Sequence, residues 1–174
     1  LAPLGLPPGL LPLDSAGTTN LDRQFEAVRP IQGTGDAPIS ESRFRVLVEK
    51  PFDSSTVGRP ELEPSFLTDK DRYRGTGGVL RDAADELDDD ARILVMTGSE
   101  IFEDGLSAAI ETVAGVDADV VLCRRANFSP AGLWSIRARC LRRVSGVGYA
   151  DFKEQVLADL TDSRDIRVAT LARS

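Results

Sequence analysis

The chain has 174 residues, with 21 Lys+Arg against 28 Asp+Glu and no histidine. Without histidine, Ser-His-Asp and Cys-His triads, His-ligated zinc and histidine proton shuttles are excluded; carboxylate, lysine, hydroxyl or carboxylate-held metal chemistry remains, or none. The net charge of −7 argues against a general nucleic-acid or anionic-membrane binder, and the length suits a single domain, residues 1–174, with a sizeable core.

Residues 1–13 are apolar, but their prolines and glycines break a helix long before the ~20 residues of a membrane span. The stretch also lacks the basic start of a signal peptide. Asn20 is placed to cap a short helix with Leu21, Phe25 and Val28 at i, i+4 and i+7. A Gly/Pro/Ser-rich connection over 30–42 leads to a strand over Phe44–Glu49, and 51–64 reads as loop. Gly75-Thr-Gly-Gly78 opens a helix carrying Val79, Leu80, Ala83 and Leu87 on one face. Arg92–Thr97 is a short continuous apolar run ending at Gly98, the pattern of a buried strand. Leu106, Ala109, Ile110 and Val113 mark a helix that Gly115 stops. Strands follow over Ala118–Cys123 and Leu133–Ala138, then a helix over Asp151–Leu160 with Phe152, Val156 and Leu160 inside, then a strand over Ile166–Leu171. The alternation predicts an α/β fold with a mostly parallel sheet and helices on both faces. Cys123 and Cys140 lie in apolar stretches and read as free core thiols of a cytoplasmic protein.

Acidic residues crowd the stretch 82–119, where Arg92 is the one basic residue, whereas 120–148 holds Arg124, Arg125, Arg137, Arg139, Arg142 and Arg143 and no acid. Two readings follow. The two stretches pair as solvated faces, or some arginines, Arg124 among them, line an anion site for a phosphorylated small molecule.

Glycines that open a helix let the backbone approach a ligand closely, and the helix N-terminus favours an anion or a base edge. By itself Gly75–Gly78 reads as a structural turn, since it lacks the Lys-Ser/Thr of a P-loop and the spacing of a dinucleotide fingerprint. Its setting adds weight: the strand ending at Met96-Thr-Gly-Ser-Glu100 follows, and ligands of open α/β sheets bind at the carboxyl ends of strands. Gly148-Tyr-Ala-Asp-Phe-Lys-Glu-Gln155 lies further on.

Taken together these segments resemble the sugar nucleotidyltransferases, the nucleotide-sugar pyrophosphorylases that include mannose-1-phosphate guanylyltransferases. Gly75-Thr-Gly-Gly-Val-Leu80 is similar to the family's Gly-Thr-Ala/Gly-Gly-Ala/Val-Leu segment beside the nucleotide base. Val95-Met-Thr-Gly-Ser99 stands in place of the strand ending in Asn-Gly-Asp, whose aspartate holds catalytic magnesium. Gly148–Gln155 is similar to a late Gly-Tyr-x-Asp-x-Lys-Glu-Gln stretch, and Gly5–Leu13 with Leu21–Phe25 to a Leu-Pro-Lys-Pro-Leu-Leu-Pro-Val run and its helix. The resemblance implies a Rossmann-like three-layer sandwich of the nucleotide-diphospho-sugar transferase type. It implies a nucleotide or nucleotide-sugar ligand, with Gly75, Thr76, Gly77, Gly78, Gly98 and Ser99 as nucleotide-binding residues and Lys153 and Arg124 as candidates for the sugar phosphate. Neither a nucleic acid nor a membrane is expected as partner, and self-association into a homo-oligomer stays open.

Departures are as informative. The family's first strand and Gly-x-Gly-Thr-Arg loop have no counterpart, the chain beginning about where that loop would end. Pro8 replaces the expected lysine and Ser99 the metal-binding aspartate. Nucleotidyl transfer rests on positioning and on charge neutralisation by Mg²⁺, which takes hard carboxylate oxygens. Activity would therefore need Mg²⁺ held by Glu100 or Asp151, the two catalytic candidates. The other reading is an inactive relative serving regulation, ligand binding or assembly, with no cofactor. Val48-Glu-Lys-Pro51 resembles the family's sugar-phosphate segment but precedes the glycine motif, so it reads as a strand end and loop. Asp88-Asp-Asp90 reads as a solvated turn, and Trp134 as core or interface.

Overall fold

The computed structural model describes residues 13–28, 45–48, 65–68, 74–100, 105–127 and 129–173. The chain divides into two compact units, one of residues 1–68 with 97–111 and one of 69–96 with 112–174.

In the first unit, α1 (Asn20–Val28) and the parallel pair β1 (Arg45–Val48) and β2 (Ser65–Thr68) are accompanied by the first residues of α3 (Leu106–Gly115). The expected strand over Phe44–Glu49 is β1, whereas β2 had no periodic signal in sequence. Helix α1 starts where expected, but Asn20 is not its cap. Thr19 and Asp22 form a reciprocal capping box: Asp22 Oδ2 accepts from Thr19 N at 2.8 Å and from Thr19 Oγ1 at 2.9 Å, and Asp22 N donates to Thr19 Oγ1. Asn20 is thereby the first helical residue. The connection 30–42 and the loop 51–64 lie outside the described residues, as does Glu49-Lys-Pro51.

The second unit is built on a four-stranded sheet in the order β3-β5-β4-β6, from β3 (Arg92–Met96), β4 (Val120–Arg125), β5 (Pro130–Arg137) and β6 (Val168–Arg173). Strands β4 and β6 run parallel, Val120 beside Val168 through Arg125 beside Arg173. β5 runs antiparallel to β3 and β4, because the link 126–129 is too short for anything but a hairpin. The sheet is therefore mixed. Strand β4 lies inside it, and Val120, Val121, Leu122 and Cys123 are all buried, which explains an apolar run without alternation. Edge strand β3 is half-buried throughout rather than buried.

On one face of the sheet, Val120, Leu122, Trp134 and Ile136 pack with Leu80 and Ala84 of α2 (Gly75–Ala84), Cys140 and Leu141 of α4 (Ala138–Leu141), and Phe152, Val156, Leu157 and Leu160. Ala84, not Ala83, is the buried alanine of α2. The last four apolar residues come from a π-helical turn, Phe152–Val156, that runs into α5 (Leu157–Asp162). The Asp151 carbonyl accepts from both Gln155 N and Val156 N, which opens the helix with the wider turn. Both cysteines are free and buried. Among the described residues no helix is long and apolar enough to cross a membrane.

Candidate functional site

In the second unit the glycine motif meets the segment some 75 residues later. Ala150 N donates to Arg74 O at 2.9 Å, Gly77 N donates to Ala150 O at 2.9 Å, and Phe152 N donates to Thr76 Oγ1 at 3.2 Å. A side chain is excluded at two of these glycines. A Cβ on Gly75 would fall 2.6 Å from Ala150 O and 2.9 Å from Tyr149 Cε2, and one on Gly77 2.6 Å from Val156 Cγ2 and 2.8 Å from Ala150 O. Gly75 also holds φ +68°, a conformation open chiefly to glycine. The glycines thus serve a close backbone approach, and Gly77 commits its N–H to it.

Arg74 ties the same corner from within. It is 6% exposed, and its guanidinium donates to Asp82 Oδ1 at 2.8 Å and, at 3.4 Å, to the carbonyls of Gly78, Ser145 and Gly148. A buried guanidinium needs such partners, since an unpaired one costs several kcal/mol, on the order of 3–5. Burial raises the Asp82 pKa, but the hydrogen bonds from Arg74 and Arg81 outweigh it and hold the carboxyl below its ordinary value. Sequence reading passed over Arg74; a charged residue immediately before a helix-opening glycine run was the signal available.

Asp151 serves as N-cap of the π-helical turn. Its Oδ1 accepts from Glu154 N at 2.8 Å, while Gln155 Oε1 accepts from Asp151 N at 2.8 Å. Lys153 Nζ stands 5.6 Å from the ring centroid of Trp134, which is 2% exposed and meets Phe152 edge to face at 5.4 Å. Trp134 is thus a core residue. Arg124 is half-buried at the carboxyl end of β4, opposite Pro130. No hydrogen bond or ion pair links it to Lys153 among the described residues.

In the first unit, Gly98, Ser99 and Glu100 form a turn directly after β3, closed by a hydrogen bond from Glu100 N to Thr97 O. Gly98 and Ser99 are exposed and Glu100 is half-buried. Two amides of α1 hold this turn. Asn20 Nδ2 donates to Gly98 O at 2.9 Å and Glu100 O at 2.7 Å, and Gln24 Nε2 donates to Thr97 O at 3.2 Å. Asn20 and Gln24 are 2% and 3% exposed. Asn20 Oδ1 has no hydrogen-bond partner among the described residues, an arrangement that costs about 1–3 kcal/mol. Asn20 was singled out in sequence only as a helix cap and Gln24 not at all, although two amides at i and i+4 beside Leu21 and Phe25 mark a polar patch on an apolar face.

Most of the arginine-rich stretch is engaged elsewhere. Arg137 pairs with Asp90 and Asp117, Arg139 with Asp90 and Asp119, Arg167 with Asp117, Arg142 with Asp89, and Arg143 with Asp165. At the centre, the nearly buried Asp119 accepts from Arg139 Nη2 at 2.7 Å and Arg167 N at 3.0 Å. The backbone N–H of Arg167 is the main force lowering its pKa, opposed by burial and reinforced by Arg139. This network lies where β3, β4 and β6 begin, at the amino ends of the strands, whereas α/β ligands sit at the carboxyl ends. The acidic and basic stretches pair with each other.

Divalent metal is the group the resemblance implies; among the described residues no cluster of three His, Cys, Asp or Glu is gathered, so a metal would rest on one or two carboxylates and the phosphates of a ligand. Ser99 supplies a hydroxyl rather than a carboxylate, and Asp151 has one carboxylate oxygen committed to its cap.

No family model matches the sequence, and no curated protein matches it. Solved structures do match the fold. One is a Bacillus anthracis protein assigned as a glucose-1-phosphate thymidylyltransferase, in complex with sucrose (TM-score 0.70, 12% identity, 100% of this chain and 82% of that one). Others are HddC from Yersinia pseudotuberculosis (0.61, 13%, 96% and 81%) and Rv0371c from Mycobacterium tuberculosis H37Rv (0.58, 20%, 98% and 80%). HddC is also known complexed with GMP-PN, and Rv0371c with manganese. At these identities the likeness shows the fold: α/β with a mixed sheet, of the nucleotide-diphospho-sugar transferase type.

Proposed function

We propose that this chain binds a nucleotide or nucleotide-sugar, as a relative in which metal-assisted transfer has been given up, with the first turn of α2 in the second unit and the Gly98-Ser99-Glu100 turn in the first each a candidate contact within its own unit. One observation carries the reading. The glycine-opened helix and the Gly148–Gln155 segment, far apart in sequence, are locked together by three hydrogen bonds around Gly75 and Gly77. Its fold is one in which HddC is complexed with GMP-PN. Gly75, Thr76, Gly77 and Gly78 form the turn offered to the nucleotide in the second unit, and Gly98 and Ser99 the turn offered in the first. Lys153 and Arg124 supply positive charge for a sugar phosphate. The protein acts in the cytoplasm.

The charge work of nucleotidyl transfer would fall on Mg²⁺ and lysine. With Ser99 and Pro8 in the family's metal-aspartate and lysine positions, binding without turnover follows. Calorimetric titration with GTP and dTTP, in EDTA and then in Mg²⁺, tests this. Binding that changes less than about threefold between the two supports the proposal; absence of binding to either overturns it.

A second reading, transfer of a nucleotidyl group to a sugar 1-phosphate with Glu100 or Asp151 as the metal carboxylate, draws on the manganese complex of the fold neighbour Rv0371c. Mg²⁺- or Mn²⁺-dependent pyrophosphate release from a nucleoside triphosphate and a sugar 1-phosphate would establish it in place of the first.

A further inference from the structure

The two buried amides of α1 stand out because they are spent on backbone rather than on side chains. A buried amide is costly unless bonded. Asn20 and Gln24 meet that demand by donating to three carbonyls of one four-residue turn, those of Thr97, Gly98 and Glu100. The helix delivering them is itself fixed in phase by the Thr19–Asp22 capping box. Four residues apart, Asn20 and Gln24 fall on one helical face. Three of the four carbonyls of the turn are thereby held, which restrains the backbone that carries Ser99 and Glu100.

Packing alone does not account for this choice. Asn20 is 2% exposed, yet its Oδ1 has no partner among the described residues. An apolar side chain would fill the position without that cost but would supply no donor. What Asn20 supplies here is its pair of N–H donors. The turn follows β3 at its carboxyl end, the place where α/β sheets take ligands.

We infer that Asn20 and Gln24 are positioning residues: they contact no ligand, and they hold the Thr97–Glu100 turn in its ligand-ready conformation. The inference rests on the nucleotide-binding reading of that turn, and its test separates the two. Asn20→Asp keeps the size of the side chain and removes both donors, and Gln24→Leu removes the third. Phe25→Leu, on the same helix, disturbs packing without touching the clamp. The affinity of each folded variant for GTP and dTTP is measured well below its melting temperature, alongside Tm and circular dichroism.

The inference expects at least a tenfold loss of nucleotide affinity in Asn20→Asp and a smaller loss in Gln24→Leu, while Phe25→Leu binds as the parent does even though its Tm falls. Parent-like affinity in Asn20→Asp, or an equal loss in Phe25→Leu, overturns the inference and leaves the nucleotide reading standing. If Asn20→Asp fails to fold, Gln24→Leu alone decides, with a threefold loss as the threshold. A parent protein that binds neither nucleotide overturns both.

Discussion

Gly77 donates its backbone N–H to Ala150 O at 2.9 Å, and the place its Cβ would occupy lies 2.6 Å from a methyl group of Val156. One glycine therefore sets how closely α2 approaches the segment leading into the π-helical turn. Gly77→Ala must push the two apart, with a stability loss of about 1–3 kcal/mol and weakened nucleotide binding. Gly115 is the matched control: it ends α3, has nothing within 4 Å of a Cβ, and is not among the left-handed glycines. Gly115→Ala should be neutral or stabilise by up to about 1 kcal/mol. Urea unfolding of both variants gives the comparison.

Arg74→Lys should cost about 1–3 kcal/mol, although charge is retained. A lysine has no planar fork with which to reach Asp82, Gly78, Ser145 and Gly148 together, as Arg74 does. If Arg74→Lys unfolds at the same urea concentration as the parent, the buried clamp contributes nothing.

Asp151 separates capping from chemistry. Asparagine caps a helix about as well as aspartate, whereas alanine costs about 1 kcal/mol. Asp151→Asn should therefore match the parent in stability and nucleotide affinity, and Asp151→Ala should lose stability. Collapse of binding in Asp151→Asn would instead mark the carboxylate itself as a ligand group.

Acid should unfold the protein in a defined window. Asp82, Asp117, Asp119 and Asp165 all have lowered pKa values in the folded chain. For Asp117 the cause is the Arg167 hydrogen bond, for Asp165 Ser163 and Arg143, and for Asp119 the Arg167 N–H. A carboxylate with a depressed folded pKa adds stability above its unfolded value, near ~3.9. That stability is lost as pH falls through the folded value. Urea midpoints should be flat between about pH 5 and 7 and fall below about pH 4, less steeply in Asp119→Asn. The variant should also be less stable at pH 7, by about 2 kcal/mol.

Element positions were largely legible because most apolar runs were long enough to show a period. The Val120–Cys123 run announced an interior strand, and Leu106, Ile110 and Val113 a helix face. Strand direction was less so: β5 is antiparallel because of a short link to β4, which apolar periodicity does not report. β2 was missed, since four residues, Ser65–Thr68, carry no period. The glycines and the Gly148–Gln155 segment stood out in sequence because each is a local pattern, but that the two meet did not. The roles of Arg74, Asn20 and Gln24 could not be read from sequence, since they lie in bonds to backbone carbonyls distant in sequence, and carbonyls have no residue identity. The arginines of 120–148 carried a true signal with two explanations: pairing with Asp90, Asp117 and Asp119 accounts for Arg137 and Arg139, and does not extend to Arg124.

Mapping backbone amide resonances during nucleotide titration in EDTA tests the central claim most directly. The account predicts saturable shifts at Gly75–Gly78 or at Gly98–Glu100, with the Arg137–Asp119 network unmoved. Saturable binding that leaves both glycine segments still, or no shift anywhere with GTP or dTTP, would contradict it.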